Sequence, residues 1–308
     1  MLRPIKETTY KLDRPLFDFP PKLGQGLWRM RFERYLDSVP VPHNSFYKAF
    51  STTPAHGVAY VLGQQEPRSP QQQANLDFGS AWHTAMLEPD NFEPTVALDD
   101  TGLSRNSNDY KEWRAKQGDR VILRQKEIDK INYMRDVAYS KPFVREILEA
   151  PGHAELTGIY KEPDFPSLWG KVRIDKALDE GYIIDLKSAV SAGRDGFRRA
   201  IWNYSYNLQA ALYIRAMTVI TGYRFRRFAW LVQEKVPPFE CRLEGADPGE
   251  MDEAQDRLNM MMADLEKCLA ENYFPGYREQ SGWSDVFPDT DSWDTQAYAD
   301  LPEDDLPW

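Results

Sequence analysis

Apolar residues in the first half of the chain recur with helical spacing. A helix is predicted over HNSFYKAF, capped by Asn44 or Ser45, and a second, shorter one opens at Pro54. Residues 64–72, QQEPRSPQQ, read as a polar, proline-broken loop. Phe78, Ala81, Trp82, Ala85 and Met86 then share one helix face, and Pro89 ends that helix. Residues 97–109 read as loop. Residues 109–139 read as one or two long amphipathic helices, with Trp113, Val121, Ile122, Ile128, Ile131 and Met134 facing a core, and a short helix follows Ser140. From Ala154 the pattern turns strand-like: AELTGIYK, then residues 168–178 and 181–188. A long helix over GRDGFRRAIWNYSYNLQAALYIRAMTVIT follows, then two strands between 225 and 244. Asp247 caps a last helix with Pro248 at its first position and Glu250 at its third, running to about Asn272. Residues 1–41, rich in Pro and Arg, read as an arm with a helix through Leu27–Leu36. The order, helices, then β-β-β-α-β, then a helix, predicts a mixed α/β core with a helical N-terminal elaboration.

The chemistry concentrates in WGKVRIDKALDEGYIIDLKS, residues 169–188. It reads as two strands joined by a turn at Asp179-Glu180-Gly181, where glycine is free to take a positive φ. Asp185 and Lys187, two apart, point to one face, and Ile184 and Leu186 point to the other. Asp175 comes from the preceding strand. Two carboxylates and an amine on one side of a small sheet are the raw material of a metal-dependent phosphodiester hydrolase. Such chemistry needs a deprotonated water and charge stabilisation at phosphorus, both supplied by Mg²⁺. Mg²⁺ takes hard oxygens, so Asp175, Asp185, the backbone carbonyl of Leu186 and Glu155 from the earlier strand form a candidate ligand set. Lys187 is placed to lower the pKa of the attacking water or to neutralise developing charge. By itself Asp-x-Lys is equally a strand-edge ion pair. His83, taken alone, is more often a hydrogen-bonded histidine than a ligand.

Charge and composition modify this picture only locally. Of 308 residues 42% are apolar and 13% aromatic, enough for a substantial core. The net charge of −10 looks unfavourable for nucleic acid, but residues 281–308 hold eight acids and no Lys or Arg; removing those eight leaves −2 for the first 280 residues. A basic track on the body is therefore compatible with the composition. Arg194, Arg198 and Arg199, and after them Arg224, Arg226 and Arg227, are either phosphate contacts or ordinary surface charge. Arg114, Lys116, Arg120, Arg124 and Lys126 are either a basic helix face or a surface balanced by nearby acids. Cys241 and Cys268 lack metal-site spacing and read as inert thiols. With no long apolar run and no visible secretory signal, no membrane partner and a reducing, cytoplasmic setting are expected. No G-x-x-x-x-G-K-[ST] loop is present.

The ordered set Glu155, Gly170, Asp175, Asp185-Leu186-Lys187, Gln209 and Tyr213 resembles the PD-(D/E)XK nuclease superfamily, specifically its RecB/RecE-like branch. There the pattern runs E…G…D…(D/E)xK…QxxxY after a histidine on an N-terminal helix. FGSAWHTAMLEPDNF looks like the "G-x-x-x-H-x-x-x-L-E-P" helix of the exonuclease VIII-type group, with His83 at the motif histidine. FSTTPAHGVAYV is similar to its first helix, with Thr53-Pro54 in place of Ser-Pro. The likeness covers about residues 42–235. It implies a restriction-endonuclease-like mixed sheet flanked by helices, with a nuclease domain over 42–280 and a separate acidic tail over 281–308. It implies that His83 is a metal ligand or anchors one, that Gln209 and Tyr213 bracket the substrate phosphate or the motif acids, and that Arg173 faces substrate from the motif strand. The implied activity is Mg²⁺-dependent exonuclease digestion of linear double-stranded DNA, 5′→3′, with Mn²⁺ substituting. The implied setting is a phage or prophage recombination system, in the bacterial host cytoplasm. Its products, 3′ single strands, would pass to a single-strand annealing or single-stranded-DNA-binding protein, and the enzyme would act as a homo-oligomeric ring. The tip LPEDDLPW resembles the acidic, aromatic-ended tip of bacterial single-stranded-DNA-binding proteins; a solubilising tail or an internal DNA mimic are the other readings. The iron–sulfur relatives need four cysteines, so this chain falls outside that subtype. Two further readings stay open: a nuclease without 5′-end preference, and a catalytically idle DNA-binding or assembly module on the same fold.

Overall fold

The computed structural model describes residues 10–30, 35 and 41–277. The acidic tail and half of the predicted Leu27–Leu36 helix lie outside these residues. Of the rest, Tyr35 is helical, whereas residues 27–29 belong to a strand: β1 (Gly26–Arg29) pairs antiparallel with a partner more than 120 residues away.

The helices α1 (Asn44–Phe50), α2 (Pro54–Val61) and α3 (Pro70–Leu87) come next. His43, not Asn44 or Ser45, occupies the N-cap of α1 and makes no side-chain cap. Thr53 caps α2 by accepting the His56 N–H. Helix α3 begins about one turn earlier than the proline-broken reading of residues 64–72 allowed. Ser69 accepts the Gln72 N–H, Gln72 accepts the Ser69 N–H, and Pro70 takes the first helical position, where no N–H is missed. All five predicted core residues of α3 are buried. A 3₁₀ turn (Pro89–Asn91) and α4 (Phe92–Thr95) follow. The region read as loop and then one or two long helices contains two three-residue strands, β2 (Val96–Leu98) and β3 (Val121–Leu123), which pair in parallel around α5 (Asn108–Lys116). Val121 and Ile122 thus sit in a strand, not a helix. Then come α6 (Gln125–Ser140) and α7 (Pro142–Glu149).

The main sheet is built from β4 (Gly152–Lys161), β5 (Trp169–Leu178), β6 (Tyr182–Ala189), β7 (Arg227–Glu234) and β8 (Cys241–Gly245), with β1 at one edge, in the order β1-β4-β5-β6-β7-β8. Every pairing is antiparallel except β6–β7. That parallel pair requires a crossover, which α8 (Arg194–Tyr204) and α9 (Tyr206–Thr221) provide. The predicted single long helix is broken at Ser205, which takes a left-handed conformation (φ 55°, ψ 43°). The final helix, α10 (Pro248–Glu271), starts as read: Asp247 accepts the Glu250 N–H at 3.1 Å.

Apolar residues alternate across the central strands, so the sheet carries a core on each face. On one side Val172, Ile174, Ile183, Trp230 and Val232 pack against α1, α9 and α10. On the other, Ile184, Leu186 and Leu231 pack against α3, α6 and α7. No helix among the described residues is long and apolar enough to cross a membrane. The architecture is thus a mixed sheet flanked by helices with a helical N-terminal region, the PD-(D/E)XK-like topology expected from the sequence.

Candidate metal centre

The site lies where the ladder between β5 and β6 opens. These strands pair at Lys176–Ile184 and Ala177–Ile183, with Gly181 (φ 82°) at the turn and its N–H donating to the Leu178 carbonyl. Beyond this point the Asp175 carboxylate takes the place of a strand partner: the Leu186 N–H donates to Asp175 Oδ2 at 2.7 Å. Within an extended strand a residue's N–H and C=O point to the same side. The Leu186 carbonyl is therefore directed at the same gap.

Asp175 and Asp185 reach this gap from opposite faces. Asp175 alternates with Val172 and Ile174 and so faces α3. There His83 Nδ1 lies 3.5 Å from Asp175 Oδ2. Asp185 and Lys187 share the face of α9, where Gln209 Nε2 donates to Asp185 Oδ1 and to the Tyr213 hydroxyl, both at 3.0 Å. Lys187 Nζ closes on Asp185 Oδ2 and lies 4.6 Å from the centre of the Tyr206 ring. Glu155 stands opposite Asp175 in the β4–β5 register, between the pairs Ala154–Lys176 and Leu156–Ile174. Its backbone takes φ 50°, a strained conformation for a residue other than glycine. Its carboxylate pairs with Arg173 at 2.7 Å, and Arg173 also donates to the Met30 carbonyl.

Burial and mutual charge set the protonation of this cluster. At His83 burial disfavours the cation, but Asp175 and then Glu155 outweigh it and push the imidazole up to about 9. Burial would raise Asp175; His83, Lys187 and the Leu186 N–H together hold it below its ordinary value. Burial pushes Asp185 up to about 6, with Lys187 opposing the shift and Asp175 adding to it. Burial also raises Glu155, with Asp175 repelling its charge and Arg173 opposing the rise. Burial favours neutral Lys187, yet Asp185 and Asp175 hold its proton more tightly than usual.

Ligand atoms of His83, Glu155 and Asp175 all lie within 4.8 Å of one another. Carboxylate oxygens with one imidazole fit a hard divalent cation. Here the repulsion between Asp175 and Glu155 and the proton on His83 are features that such a cation would replace. Together these groups make a three-residue candidate metal site beside the pair of buried Asp185 and half-buried Lys187.

A family profile described as a PDDEXK-like domain of unknown function, DUF3799, matches residues 44–285. The chain belongs to this family. No curated protein matches it. Among solved structures, this DUF3799 chain is similar to one from Eubacterium rectale described provisionally as an exonuclease. The two are 13% identical over 85% of this chain and 99% of that one, with a TM-score of 0.54, a likeness of fold.

The other residues singled out from the sequence of this DUF3799 member lie in several places. Gln209 and Tyr213 are buried, with the Gln209 amide held on Asp185. Arg194, Arg198 and Arg199 are exposed on the first turns of α8; Arg198 pairs with Glu250 at 3.1 Å and Arg199 Nε donates to the Asp195 carbonyl. Arg226 and Arg227 line a cleft of about 990 Å³ at the far end of β6, bounded by Tyr182, Phe228 and Met251 and remote from Lys187. Both cysteines are buried, which pushes each thiol up to about 11. One anchor escaped the sequence reading. Trp82 donates to buried Gln233 on β7 at 2.9 Å, and Gln233 donates to the Met134 carbonyl at 2.7 Å. This bond seats α3 and therefore His83, its next residue, over the gap. The Trp-His dipeptide with a buried-strand glutamine was visible, but their pairing is 151 residues long-range.

Proposed function

We propose that the protein is a Mg²⁺-dependent deoxyribonuclease that degrades linear double-stranded DNA from its ends, 5′→3′, leaving 3′ single strands for recombination. The observation that carries this is the convergence of His83, Glu155 and Asp175 within 4.8 Å beside the Asp185–Lys187 pair, on a PD-(D/E)XK-like fold. When bound, the cation supplies Lewis acidity and an acidified water. His83, Glu155 and Asp175 would hold it, with Asp185 and the Leu186 carbonyl at the open side. Lys187, kept protonated by its acids, stabilises charge on the phosphate oxygens. Gln209 orients Asp185 by donating to its Oδ1. Mn²⁺ should substitute for Mg²⁺, since the donors suit both. A ring of identical subunits and a single-strand annealing or single-stranded-DNA-binding partner belong to the same reading; the mass in gel filtration tests the first and co-purification with the annealing protein the second.

The test uses end-labelled linear duplex, closed circular duplex and single strand, each with Mg²⁺ or chelator, for wild type and Lys187→Ala. Wild type should shorten the linear duplex only with Mg²⁺, and Lys187→Ala should lose at least about a hundredfold in rate. No Mg²⁺-dependent degradation would leave the idle-module reading in place. Cutting of the closed circle would favour a nuclease without end preference.

A further inference from the structure

An array of rings leads outward from Lys187. Its Nζ lies 4.6 Å from the Tyr206 ring centre, and the Tyr206 ring stacks on Tyr204 at 5.5 Å with an interplanar angle of 27°. Lys48 Nζ, from α1, lies 5.2 Å from the centre of Tyr204. The Tyr204 ring centre is thus no more than about 10 Å from the Lys187 ammonium, the first two distances laid end to end. Tyr204 is 54% exposed.

This arrangement exists because the helix breaks. Residues two apart on a continuous helix point to different faces and cannot stack. The left-handed Ser205 turns the chain so that Tyr204 and Tyr206 lie ring on ring while Gln209 still reaches Asp185. A non-glycine residue in that conformation is strained, and such strain persists where the surroundings enforce it. The result is an exposed aromatic surface with an ammonium at each end, one of them in the candidate metal centre. Every nucleobase has a π-face, so tyrosine stacking accepts any sequence, and flanking lysines meet the phosphates on either side of the stacked base. Its occupant must be flat, apolar-faced and flanked by negative charge.

We propose that Tyr204, backed by Tyr206, is a stacking platform for an unpaired nucleobase of the DNA strand whose backbone enters the metal centre. This deepens the hydrolase reading and rests on it for the identity of the polymer. Lys48 leaves the ring to contact the adjoining phosphate when a base lies there, and Tyr206 holds the platform in line with Lys187.

The full-length protein is titrated into a duplex bearing a short single-stranded end with 2-aminopurine at its terminal positions, in chelator and with Ca²⁺ in place of Mg²⁺. Wild type should quench the probe. Tyr204→Ala should bind about 5- to 100-fold more weakly with the quenching lost. Tyr204→Phe should stay within about twofold of wild type, because the ring and not the hydroxyl stacks. Tyr223, equally exposed at 55% but beyond the other end of α9, is the matched control, and Tyr223→Ala should also stay within about twofold. Absence of quenching by wild type, unchanged binding by Tyr204→Ala, or an equal loss in Tyr204→Phe or Tyr223→Ala overturns the platform. Because this readout needs no hydrolysis, the two readings fail separately. Quenching without Mg²⁺-dependent degradation sinks the hydrolase alone, and degradation without quenching sinks the platform alone.

Discussion

Metal affinity should rise steeply with pH across the neutral range, because the candidate ligands hold protons that a cation must displace. The perturbation is pH itself, and two groups dominate: His83, pushed up to about 9, and Asp185, pushed up to about 6. The sign follows from the form that binds: an imidazole ligates only when neutral and a carboxylate only when ionised, so a raised value in either case weakens binding at lower pH. At pH 7 His83 lies about two units below its midpoint, and each unit corresponds to ~1.36 kcal/mol, so releasing its proton costs roughly 2.7 kcal/mol, or about a hundredfold in apparent affinity relative to pH above 9. Asp185 is mostly ionised at pH 7 and adds little there; below pH 6 it becomes a second proton to displace. Titration calorimetry with Mn²⁺, in buffers of different ionisation enthalpy, counts these protons. About one proton should leave per metal at pH 7.5, approaching two below pH 6, with the dissociation constant falling close to tenfold per unit between 7 and 9. His83→Ala should flatten the dependence above pH 7 without abolishing binding, since the carboxylates remain. A constant affinity from pH 7 to 9 with no proton release would refute the assignment of His83 to the metal.

Three further outcomes follow from the packing around the centre. Gln209→Ala removes the donor shared by Asp185 and the Tyr213 hydroxyl; loss of a bond to a buried carboxylate should cost ~1.5–3 kcal/mol in urea unfolding with chelator present, and a loss under ~0.5 kcal/mol would mean Asp185 finds another partner. Trp82→Phe leaves the Gln233 amide oxygen buried without its donor. The thermal midpoint should fall by an amount matching ~1–3 kcal/mol, and metal binding by His83 should weaken only as α3 shifts. Gly170→Ala would bring a Cβ within 2.7 Å of the Tyr160 ring, its cross-strand neighbour; overpacking of ~1–3 kcal/mol is expected by chemical denaturation, and an unchanged midpoint would show that the ring can yield.

That last contact gives a physical reason for the glycine in the nuclease-like pattern: the Tyr160 ring lies across β5 where a side chain would stand. Much of the centre was readable this way. The β5–β6 hairpin, its Gly181 turn and the Asp247 cap of α10 depend on neighbours within a few residues, and local patterns report them. The break at Ser205 was not readable, because Asn203-Tyr204-Ser205 contains neither glycine nor proline to mark a left-handed residue. Trp202, three residues before the break, is 57% exposed. Strand β1 was read as helix because four residues, GLWR, carry no alternation of their own; their partner is β4. The start of α3 was legible in Ser69-Pro70-Gln71-Gln72, but Pro67 and Pro70 masked a capping box that proline at the first helical position suits.

The opened ladder changes what the Asp-x-Lys pattern means. On an intact sheet, Asp175 and Asp185 would point to opposite faces and be divided by the backbone, since one faces α3 and the other α9. Parting β5 from β6 after Lys176–Ile184 removes that wall, and the Leu186 N–H, which would otherwise lack a strand partner, is satisfied by Asp175 itself. The motif acid is thus also the structural plug of the gap it needs. Substituting Asp175→Asn should therefore do two things at once. Its amide still offers an oxygen to Leu186, so the fold should hold, but the charge that sustains the His83 cation and attracts a metal is gone. Asp175→Leu should lose stability as well, by ~1–3 kcal/mol for an unsatisfied buried N–H. Comparable unfolding midpoints for the two variants would show that the gap is held open by something other than Asp175.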